Sequence, residues 1–246
     1  MGKYENILIC TDLDGTLCDN EGNISKENQE AIEYFKKEGG YFTICTGRSA
    51  KFIRDIEKKG LKINAPLICL NGAMIYDIEN DKILYKNPIK KEKLSDYEKF
   101  YEENKIYLDT VYYHTYDTFN DYSQVGDNEL YKIVFAVKKG CVNDIRKNLE
   151  KKYSQDFFIT NSWHTGVELM DKDSTKGVCV KKFLELFDKS IEKTVCVGDF
   201  ENDISMLKIA DISYAVSNAI DDVKKVAKKV TVSNEESAIA KIIMEL

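Results

Sequence analysis

The sequence predicts a doubly wound α/β fold with a parallel sheet at its core and a second, inserted α+β domain. Short apolar runs alternate with helical patterns at both ends of the chain, which is typical of strands joined by crossover helices. The runs are almost continuously apolar, as strands covered on both faces of a parallel sheet must be. Between them, the middle of the chain is richer in lysine and tyrosine and interrupts the pattern.

Six apolar runs are predicted to be the strands of the parallel sheet. They are ILIC at 7–10, YFTIC at 41–45, PLICL at 66–70, TVCVG at 194–198, ISYAV at 212–216 and VTV at 230–232. Helical patterns lie at 25–38, 49–59, 175–188, 201–209, 219–229 and 235–245. Ser25 is suited to cap the first helix and Gly39 is suited to end it. The alternation of strand and helix predicts a sheet with helices on both faces.

The inserted domain is predicted over residues 84–170, and the core over residues 1–83 and 171–246. Within the insert, the pattern indicates helices at 92–103 and 141–152 and strands near 106–113, 130–137, 156–161 and 166–170. Strands of this kind form an antiparallel sheet with helices on one face.

Composition and charge narrow the class of protein. The 246 residues include 36 Lys and Arg against 42 Asp and Glu, a net charge of −6, whereas nucleic-acid binders carry a basic surplus. No stretch approaches the roughly 20 apolar residues of a transmembrane helix, and the N-terminus lacks the pattern of a signal peptide. We therefore expect a cytoplasmic protein that binds neither nucleic acid nor membrane, and that is a monomer or a weak homo-oligomer.

The cysteines indicate a reduced interior and no metal cluster. Their number, seven, is odd, and no C-x-x-C pair is present, so the thiolate spacing of zinc sites is missing. Cys10, Cys45, Cys69 and Cys196 lie in or beside apolar runs, where cysteine behaves as a small hydrophobic residue. With two histidines in the chain, a histidine-rich transition-metal site is also disfavoured.

The first candidate site is the segment Asp12-Leu13-Asp14-Gly15-Thr16, directly after the first predicted strand. Residues two apart on an extended segment point the same way, so the carboxylates of Asp12 and Asp14 are expected to face one site. Carboxylates so close repel each other, and a divalent cation relieves the repulsion. The alternative is that Asp-x-Asp-Gly is a simple turn.

Further polar groups follow other predicted strands, where ligands bind in open α/β sheets. Thr46-Gly47-Arg48 follows the second strand, and its hydroxyl and backbone N–H groups suit a phosphate oxygen, although Thr-Gly is also common in turns. Asn71-Gly72, after the third strand, has the same ambiguity. A third polar segment, Gly198-Asp199-Phe200-Glu201-Asn202-Asp203, follows the strand TVCV. Acidic residues in the first turn of a helix often cap it, which explains Glu201 and Asp203. Capping explains Asp199 less well, because Asp199 lies on the strand side, before the helix. Lys176, in the segment DKDSTKG, lies at the start of the helix predicted at 175–188.

Taken in order, DLDGTL, TGR, the lysine of STKG, and GDFENDISML resemble the four motifs of the haloacid dehalogenase-like phosphatases. The insertion between the second and third motifs resembles the type-II cap of the Cof-like branch, and the resemblance covers the whole chain. It implies a Rossmann-like core, a cap domain, and a phosphatase that hydrolyses small phosphorylated metabolites, such as sugar phosphates or nucleotides, through an aspartyl-phosphate intermediate.

The resemblance also implies the catalytic roles. Asp12 would be the nucleophile that attacks phosphorus. Asp14 would be the general acid for the leaving oxygen and then the general base for the hydrolytic water. This acid must be protonated when the leaving group departs. A desolvated site beside other carboxylates favours the protonated form, and closure of the cap would supply the desolvation.

Binding roles follow from the same resemblance. The substrate phosphate would be bound by Thr46, Gly47, Lys176 and Asn202. Mg²⁺ would lie between the Asp12 carboxylate, the backbone carbonyl of Asp14, and Asp199. Asp203 would brace Lys176 or a metal-bound water. A dianionic phosphate and an aspartate repel each other, so a metal and a lysine are the charges that their reaction requires.

Two alternatives remain open at this point. A phosphomannomutase-like phosphotransferase shares the first motif, but it must grip two phosphates, for which arginine is preferred; the chain contains Arg48, Arg54 and Arg146, and only Arg146 lies in the insert. A catalytically silent regulatory protein on the same fold would have lost a motif residue, and all of them are present. In the insert, the tyrosine-rich stretch 107–122 with His114 either lines the substrate pocket or packs the sheet against its helices.

Overall fold

The computed structural model describes residues 2–52 and 61–246, and the chain divides into two compact units. Residues 1–85 and 176–246 form one, here called the core unit, and residues 86–175 form the other, the inserted unit. The predicted limits, after residues 83 and 170, therefore lie at 85 and 175 in the structure.

The elements follow one another along the chain in three groups. The first core segment holds β1 (Ile7–Thr11), α1 (Lys26–Lys37), β2 (Tyr41–Ile44), β3 (Leu67–Cys69), β4 (Met74–Asp77) and β5 (Lys82–Lys86). The inserted unit holds α2 (Tyr97–Asn104), β6 (Leu108–His114), β7 (Thr118–Phe119), β8 (Lys132–Val137), α3 (Val142–Tyr153), β9 (Phe157–Trp163) and β10 (Gly166–Asp171). The second core segment holds α4 (Lys176–Leu186), β11 (Lys193–Gly198), α5 (Ile204–Ile209), β12 (Ile212–Ala215), α6 (Asp221–Val226), β13 (Lys229–Val230) and α7 (Ala238–Glu245).

The core sheet has five parallel strands in the order β13-β12-β11-β1-β2. β1 lies between β2 and β11, with Cys10 opposite Thr43 on one side and Cys196 on the other. Leu8, Ile9 and Cys10 are fully buried, as the continuous apolar run of a doubly covered strand requires. The predicted α/β class with a parallel sheet is confirmed.

The third predicted strand has a different partner from the one expected. A parallel bridge joins Ile68 of β3 to Cys45, the residue after β2. β3 is otherwise the first strand of a small three-stranded sheet, β3-β4-β5, in which β3 and β4 are antiparallel. The sequence analysis did not predict β4 and β5. β5 is mostly exposed, and its three apolar residues lie between two lysines, at the limit predicted for the inserted domain.

Helix α1 begins as its sequence predicts, since the Ser25 hydroxyl accepts a hydrogen bond from the N–H of Asn28 at 3.2 Å. The helix predicted at 201–209 starts with a 3-10 turn over Glu201–Asp203 and continues as α5. The helix predicted at 49–59 lies largely outside the described residues.

The inserted unit is a five-stranded antiparallel sheet in the order β7-β6-β8-β10-β9. Side chains of α2 and α3 share one apolar core with alternate residues of the strands, which is the α+β arrangement that the sequence predicts. Tyr113 belongs to this core, where its hydroxyl lies 2.8 Å from that of Tyr97, so packing is the role of this ring. His114, on the opposite side of β6, is kept neutral, because burial and Lys132 lower its pKa to about 3.

The cysteines are all free thiols, and six of the seven are buried. Cys10, Cys45, Cys69 and Cys196, which lie in or beside apolar runs, are among the buried ones. None of the helices over residues 2–52 and 61–246 is long and apolar enough to cross a lipid bilayer.

Candidate active site

The predicted site residues meet at the carboxyl ends of three neighbouring strands. Asp12 follows β1, Thr46 follows β2 and Asp199 follows β11. The N–H of Asp12 donates to the carbonyl of Val197 at 2.9 Å, which continues the hydrogen bonding between β1 and β11 beyond the end of β1. Parallel pairing thus brings together residues that are more than 180 positions apart in the sequence.

Lys176 occupies the centre of this site. Its ammonium nitrogen lies 2.5 Å from Oδ1 of Asp12 and 2.5 Å from Oδ1 of Asp203, and its side chain is fully buried. Burial by itself would lower the pKa of this lysine, but the two carboxylates raise its pKa above the usual range. Lys176 is therefore a buried, permanently charged cation that contacts the predicted nucleophile.

Asp203 positions its neighbours as well as Lys176. Its Oδ2 accepts hydrogen bonds from the N–H of Asp199 at 2.9 Å and from the N–H of Phe200 at 3.0 Å. The residue is fully buried. The expected contact with Lys176 is thus present, and the same carboxylate also orients the backbone that carries Asp199.

Three carboxylates form a potential cation site. Asp12, Asp199 and Asp203 each offer an oxygen within 4.8 Å of the others, and one lysine cannot neutralise three such groups. Burial raises the pKa of Asp12 well above its ordinary value, and Asp203 and Asp199 add to this rise while Lys176 opposes it. Burial and the charge of Asp203 also raise the pKa of Asp199 to about 7. Crowded carboxylate oxygens with an excess of negative charge fit a hard divalent cation such as Mg²⁺.

The raised pKa of Asp199 predicts how the stability of the protein depends on pH, which can be tested without a substrate. Since the folded protein binds this proton more tightly than the unfolded chain does, the contribution of Asp199 to stability is complete below its ordinary pKa and is lost as the pH rises from about 4 to about 7. We expect Asp199→Asn to raise the free energy of unfolding at pH 8, in the presence of a chelator, by roughly 1–3 kcal/mol.

Urea unfolding at pH 5 and pH 8 measures this effect, and the gain is expected to be larger at pH 8. The same substitution is expected to remove any stabilisation by added Mg²⁺, because it removes one carboxylate of the potential cation site. An equal gain at both values of pH would show that the charge of Asp199 is not the cause.

The loop after Asp12 lies directly against Asp199. Gly15 has a φ of +76°, and a Cβ at this position would lie 2.7 Å from Oδ2 of Asp199, so only glycine permits this approach. The hydroxyl of Thr16 donates to Oδ1 of Asp199 at 2.7 Å. Gly15 and Thr16 therefore hold the Asp199 carboxylate against the loop that follows the predicted nucleophile.

The Asp14 side chain is paired with Arg48, a partner that the sequence did not indicate. Its carboxylate accepts two hydrogen bonds from Arg48, from Nε at 2.6 Å and from Nη2 at 2.7 Å, and its side chain is 51% exposed. A tight turn over Leu13–Leu17 carries Asp14. The Asp14 carboxylate thus pairs with a guanidinium group and is half-exposed in this structure.

The predicted phosphate-binding residues are joined by an asparagine that the sequence analysis left ambiguous. The N–H of Asn71 donates to the carbonyl of Thr46 at 2.9 Å, and its Oδ1 accepts from Nδ2 of Asn202 at 3.0 Å. A Cβ on Gly47 would lie 3.1 Å from the same oxygen. Asn71 is fully buried and has a positive φ of 56°. Its position after β3, at the same edge as Thr46, is the sequence signal that identifies it.

Comparison with known proteins agrees with this geometry. The profile of the haloacid dehalogenase-like hydrolase family matches residues 9–128 and 109–243. A 5-amino-6-(5-phospho-D-ribitylamino)uracil phosphatase of Bacillus subtilis, YcsE, is 31% identical over 241 residues, covering 96% of this chain and 94% of the relative. A second B. subtilis phosphatase of the same name, YitU, is 26% identical over 264 residues, covering 97% of this chain and 96% of the relative.

Solved structures give the same result for the fold. A haloacid dehalogenase-like hydrolase from B. subtilis superimposes with a TM-score of 0.86 at 24% identity, over 97% of this chain and 99% of that one. A sugar phosphatase of haloacid dehalogenase subclass IIB superimposes with a TM-score of 0.81 at 22% identity, over 97% of this chain and 98% of that one. The chain therefore belongs to the haloacid dehalogenase-like hydrolases, and within them to the Cof-like phosphatases.

Proposed function

We propose that the protein is a Mg²⁺-dependent phosphatase of small phosphorylated metabolites that works through an aspartyl-phosphate on Asp12. The observation that carries this proposal is the contact between Asp12 and the buried Lys176, with Asp199 and Asp203 beside them. An aspartate in such a place can act as a nucleophile toward a phosphate dianion, since the site supplies the positive charge that the reaction needs.

In the first step, a carboxylate oxygen of Asp12 forms a bond to phosphorus while the bond from phosphorus to the leaving oxygen breaks. Lys176 holds Oδ1 of Asp12 in place and balances the negative charge of the phosphoryl group. Asp14 would donate a proton to the leaving oxygen. To do so, the Asp14 carboxyl group must first give up its contact with the Arg48 guanidinium and then contact the leaving oxygen. Mg²⁺ bound by the three carboxylates of the site would supply further positive charge near the phosphoryl oxygens.

In the second step, a water molecule attacks the phosphorus of the aspartyl-phosphate, and the bond between phosphorus and the Asp12 oxygen breaks. Asp14 would accept a proton from this water, which returns it to the state in which it can donate again. The Thr46 hydroxyl, the Gly47 backbone, Lys176 and Asn202 would hold the phosphoryl oxygens during both steps. Asn71, which is bonded to both Thr46 and Asn202, would keep this group together.

We propose a sugar phosphate, a nucleotide or a similar small phosphate ester as the substrate. Two relatives in B. subtilis are named as phosphatases of 5-amino-6-(5-phospho-D-ribitylamino)uracil, and one structural neighbour is described as a sugar phosphatase. All three names denote a phosphate ester of a sugar or a sugar alcohol. Phosphorylated sugars and ribityl compounds are therefore the first candidates within this class.

A phosphate-release screen tests the proposal. The panel should contain sugar phosphates, nucleotides, 5-amino-6-(5-phospho-D-ribitylamino)uracil and an aryl phosphate, each assayed with Mg²⁺ and with excess chelator. We expect release to depend on Mg²⁺ for every active substrate. Asp12→Asn protein, purified in the same way, reports any contaminating phosphatase. Full activity in excess chelator would contradict the metal site.

A phosphotransferase of the phosphomannomutase type is disfavoured by the arginine that the structure describes in the inserted unit. Arg146 donates to Glu150 and to Asn161, both at 2.7 Å. The arginine that could bind a second phosphate from this unit thus already binds two neighbours of its own unit. The cytoplasmic location and the monomeric or weakly oligomeric state remain predictions from the sequence.

A further inference from the structure

Three asparagine side chains hold the loop that follows the predicted nucleophile. Nδ2 of Asn218 donates to the carbonyl of Gly15 at 2.8 Å, Nδ2 of Asn234 to that of Cys18 at 3.0 Å, and Nδ2 of Asn28 to that of Leu17 at 3.4 Å. The loop has non-helical backbone angles at Asp14 and Gly15. Regular backbone hydrogen bonding therefore does not satisfy these carbonyls, and side-chain amides donate to them instead.

Two of these asparagines, Asn218 and Asn28, also accept hydrogen bonds through their amide oxygens. The backbone N–H of Asn234 donates to Oδ1 of Asn218 at 3.0 Å, and the N–H of Ala240 donates to Oδ1 of Asn28 at 2.9 Å. An amide side chain can donate and accept at once, so both residues connect the nucleophile loop to the last elements of the chain. Asn28 and Asn234 are buried, whereas Asn218 is exposed.

We propose that Asn218 is a positioning residue of the active site, which sets the distance between the nucleophile loop and Asp199. The carbonyl of Gly15 belongs to the same rigid peptide as the N–H of Thr16, and the hydroxyl of Thr16 donates to Oδ1 of Asp199. The Cα of Gly15 lies so near the Asp199 carboxylate that a Cβ there would approach Oδ2 to 2.7 Å. A rotation of this one peptide would thus move both the hydroxyl and the backbone that contact Asp199.

The inference rests on the proposed function, because Asp199 matters to catalysis as a ligand of the cation. It adds a residue outside the four sequence motifs. Asn218 lies between β12 and α6 and, being exposed, contributes little to the apolar core. Its bond to Gly15 is directed at the active-site loop, and no substrate contact is needed for the effect.

Two substitutions separate the hydrogen bond from the side chain as a whole. Asn218→Asp keeps the shape and the acceptor for Asn234, but an ionised carboxylate has no proton to donate to Gly15. Asn218→Ala removes both functions without adding charge. Asn64 offers a matched control, since its Nδ2 donates to the carbonyl of Gly40 at 3.0 Å and its Oδ1 accepts from the N–H of Phe42 at 2.8 Å. These bonds lie at the start of β2, at the opposite end of the sheet from the site.

The experiment compares Asn218→Asp, Asn218→Ala, Asn64→Asp and Asn64→Ala with the unaltered protein. We expect kcat for an aryl phosphate to fall about tenfold in both Asn218 variants, as the loss of one hydrogen bond worth about 1.4 kcal/mol implies, while KM changes little. The Mg²⁺ concentration that gives half of the maximal rise in Tm is expected to increase by a similar factor. The Asn64 variants should show neither change, although their Tm in excess chelator falls as much as that of the Asn218 variants.

The outcomes are distinguishable. Asn218 variants that match the Asn64 variants in kcat and in Mg²⁺ dependence, beside an active unaltered protein, overturn the role of Asn218 alone. An unaltered protein that releases no phosphate and whose Tm does not respond to Mg²⁺ overturns the proposed function, and the inference with it. If only Asn218→Asp changes the Mg²⁺ dependence, the added charge is the cause, and the positioning role is refuted.

Discussion

Asp12→Asn is expected to reduce turnover to background, because the asparagine amide cannot form the aspartyl-phosphate. The side chain keeps the size of aspartate and can still accept a hydrogen bond from Lys176, so folding is expected to be retained. Removal of a nucleophile costs far more than the ~10²–10⁴-fold that general acid–base assistance supplies. Single-turnover assays with a radiolabelled substrate measure the effect, and a labelled acyl-phosphate that still forms on this variant would exclude Asp12 as the nucleophile.

Asp14→Asn is expected to have a smaller effect that depends on the leaving group. The nucleophile remains, but the proton donor is lost, and an alkoxide needs that proton more than a nitrophenolate does. Phosphorylation should slow by ~10²–10⁴-fold on a sugar phosphate and much less on an aryl phosphate. Because no base then activates water, a burst followed by a stalled phosphoenzyme is expected on the aryl substrate.

Arg48→Ala is the matched control for Asp14, since it removes the two hydrogen bonds that the Asp14 carboxylate accepts in this structure. We expect this variant to retain the proton donor and therefore to keep the same preference between alkyl and aryl phosphates as the unaltered protein. Equal losses on both substrates in Asp14→Asn, without a trapped phosphoenzyme, would rule out Asp14 as the acid–base residue.

Lys176→Met is expected to abolish activity and also to destabilise the core unit. It leaves Asp12 and Asp203 buried without their shared cation, and the loss of one partner from a buried ion pair costs about 3–5 kcal/mol. The carboxylates can respond by taking up protons, so the loss of stability should be larger at pH 8 than at pH 5. Urea unfolding at the two values of pH measures this difference.

A second buried lysine serves as the comparison. Lys132, in the inserted unit, lies 2.9 Å from Glu168, with 4% and 1% of the two side chains exposed. Lys132→Met is expected to destabilise the inserted unit in the same way while hydrolysis of an aryl phosphate continues. If Lys176→Met retained full hydrolysis, the contact with Asp12 would be structural, and the proposed charge balance would be wrong.

The sequence by itself determined the parallel sheet, because a strand buried on both faces must be apolar throughout and so is visible in a single sequence. It also determined that Asp12, Thr46 and Asp199 lie at one edge, since the carboxyl ends of parallel strands meet there. The inserted unit was visible because its residue types differ from those of the core. β5 was missed because its three apolar residues lie between lysines, at the limit predicted for the inserted domain.

Only the tertiary structure decided how the site residues are paired. The turn at Leu13–Leu17 carries Asp14, whose carboxylate pairs with Arg48, and spacing along the chain did not predict this partner. The buried contact of Lys176 with Asp12 and Asp203 joins residues 164 and 27 positions apart. Asn71 and Asn218 gain their importance from neighbours that are distant in sequence. Spacing along a strand reports direction within that strand, and contacts across the sheet arise only when the chain has folded.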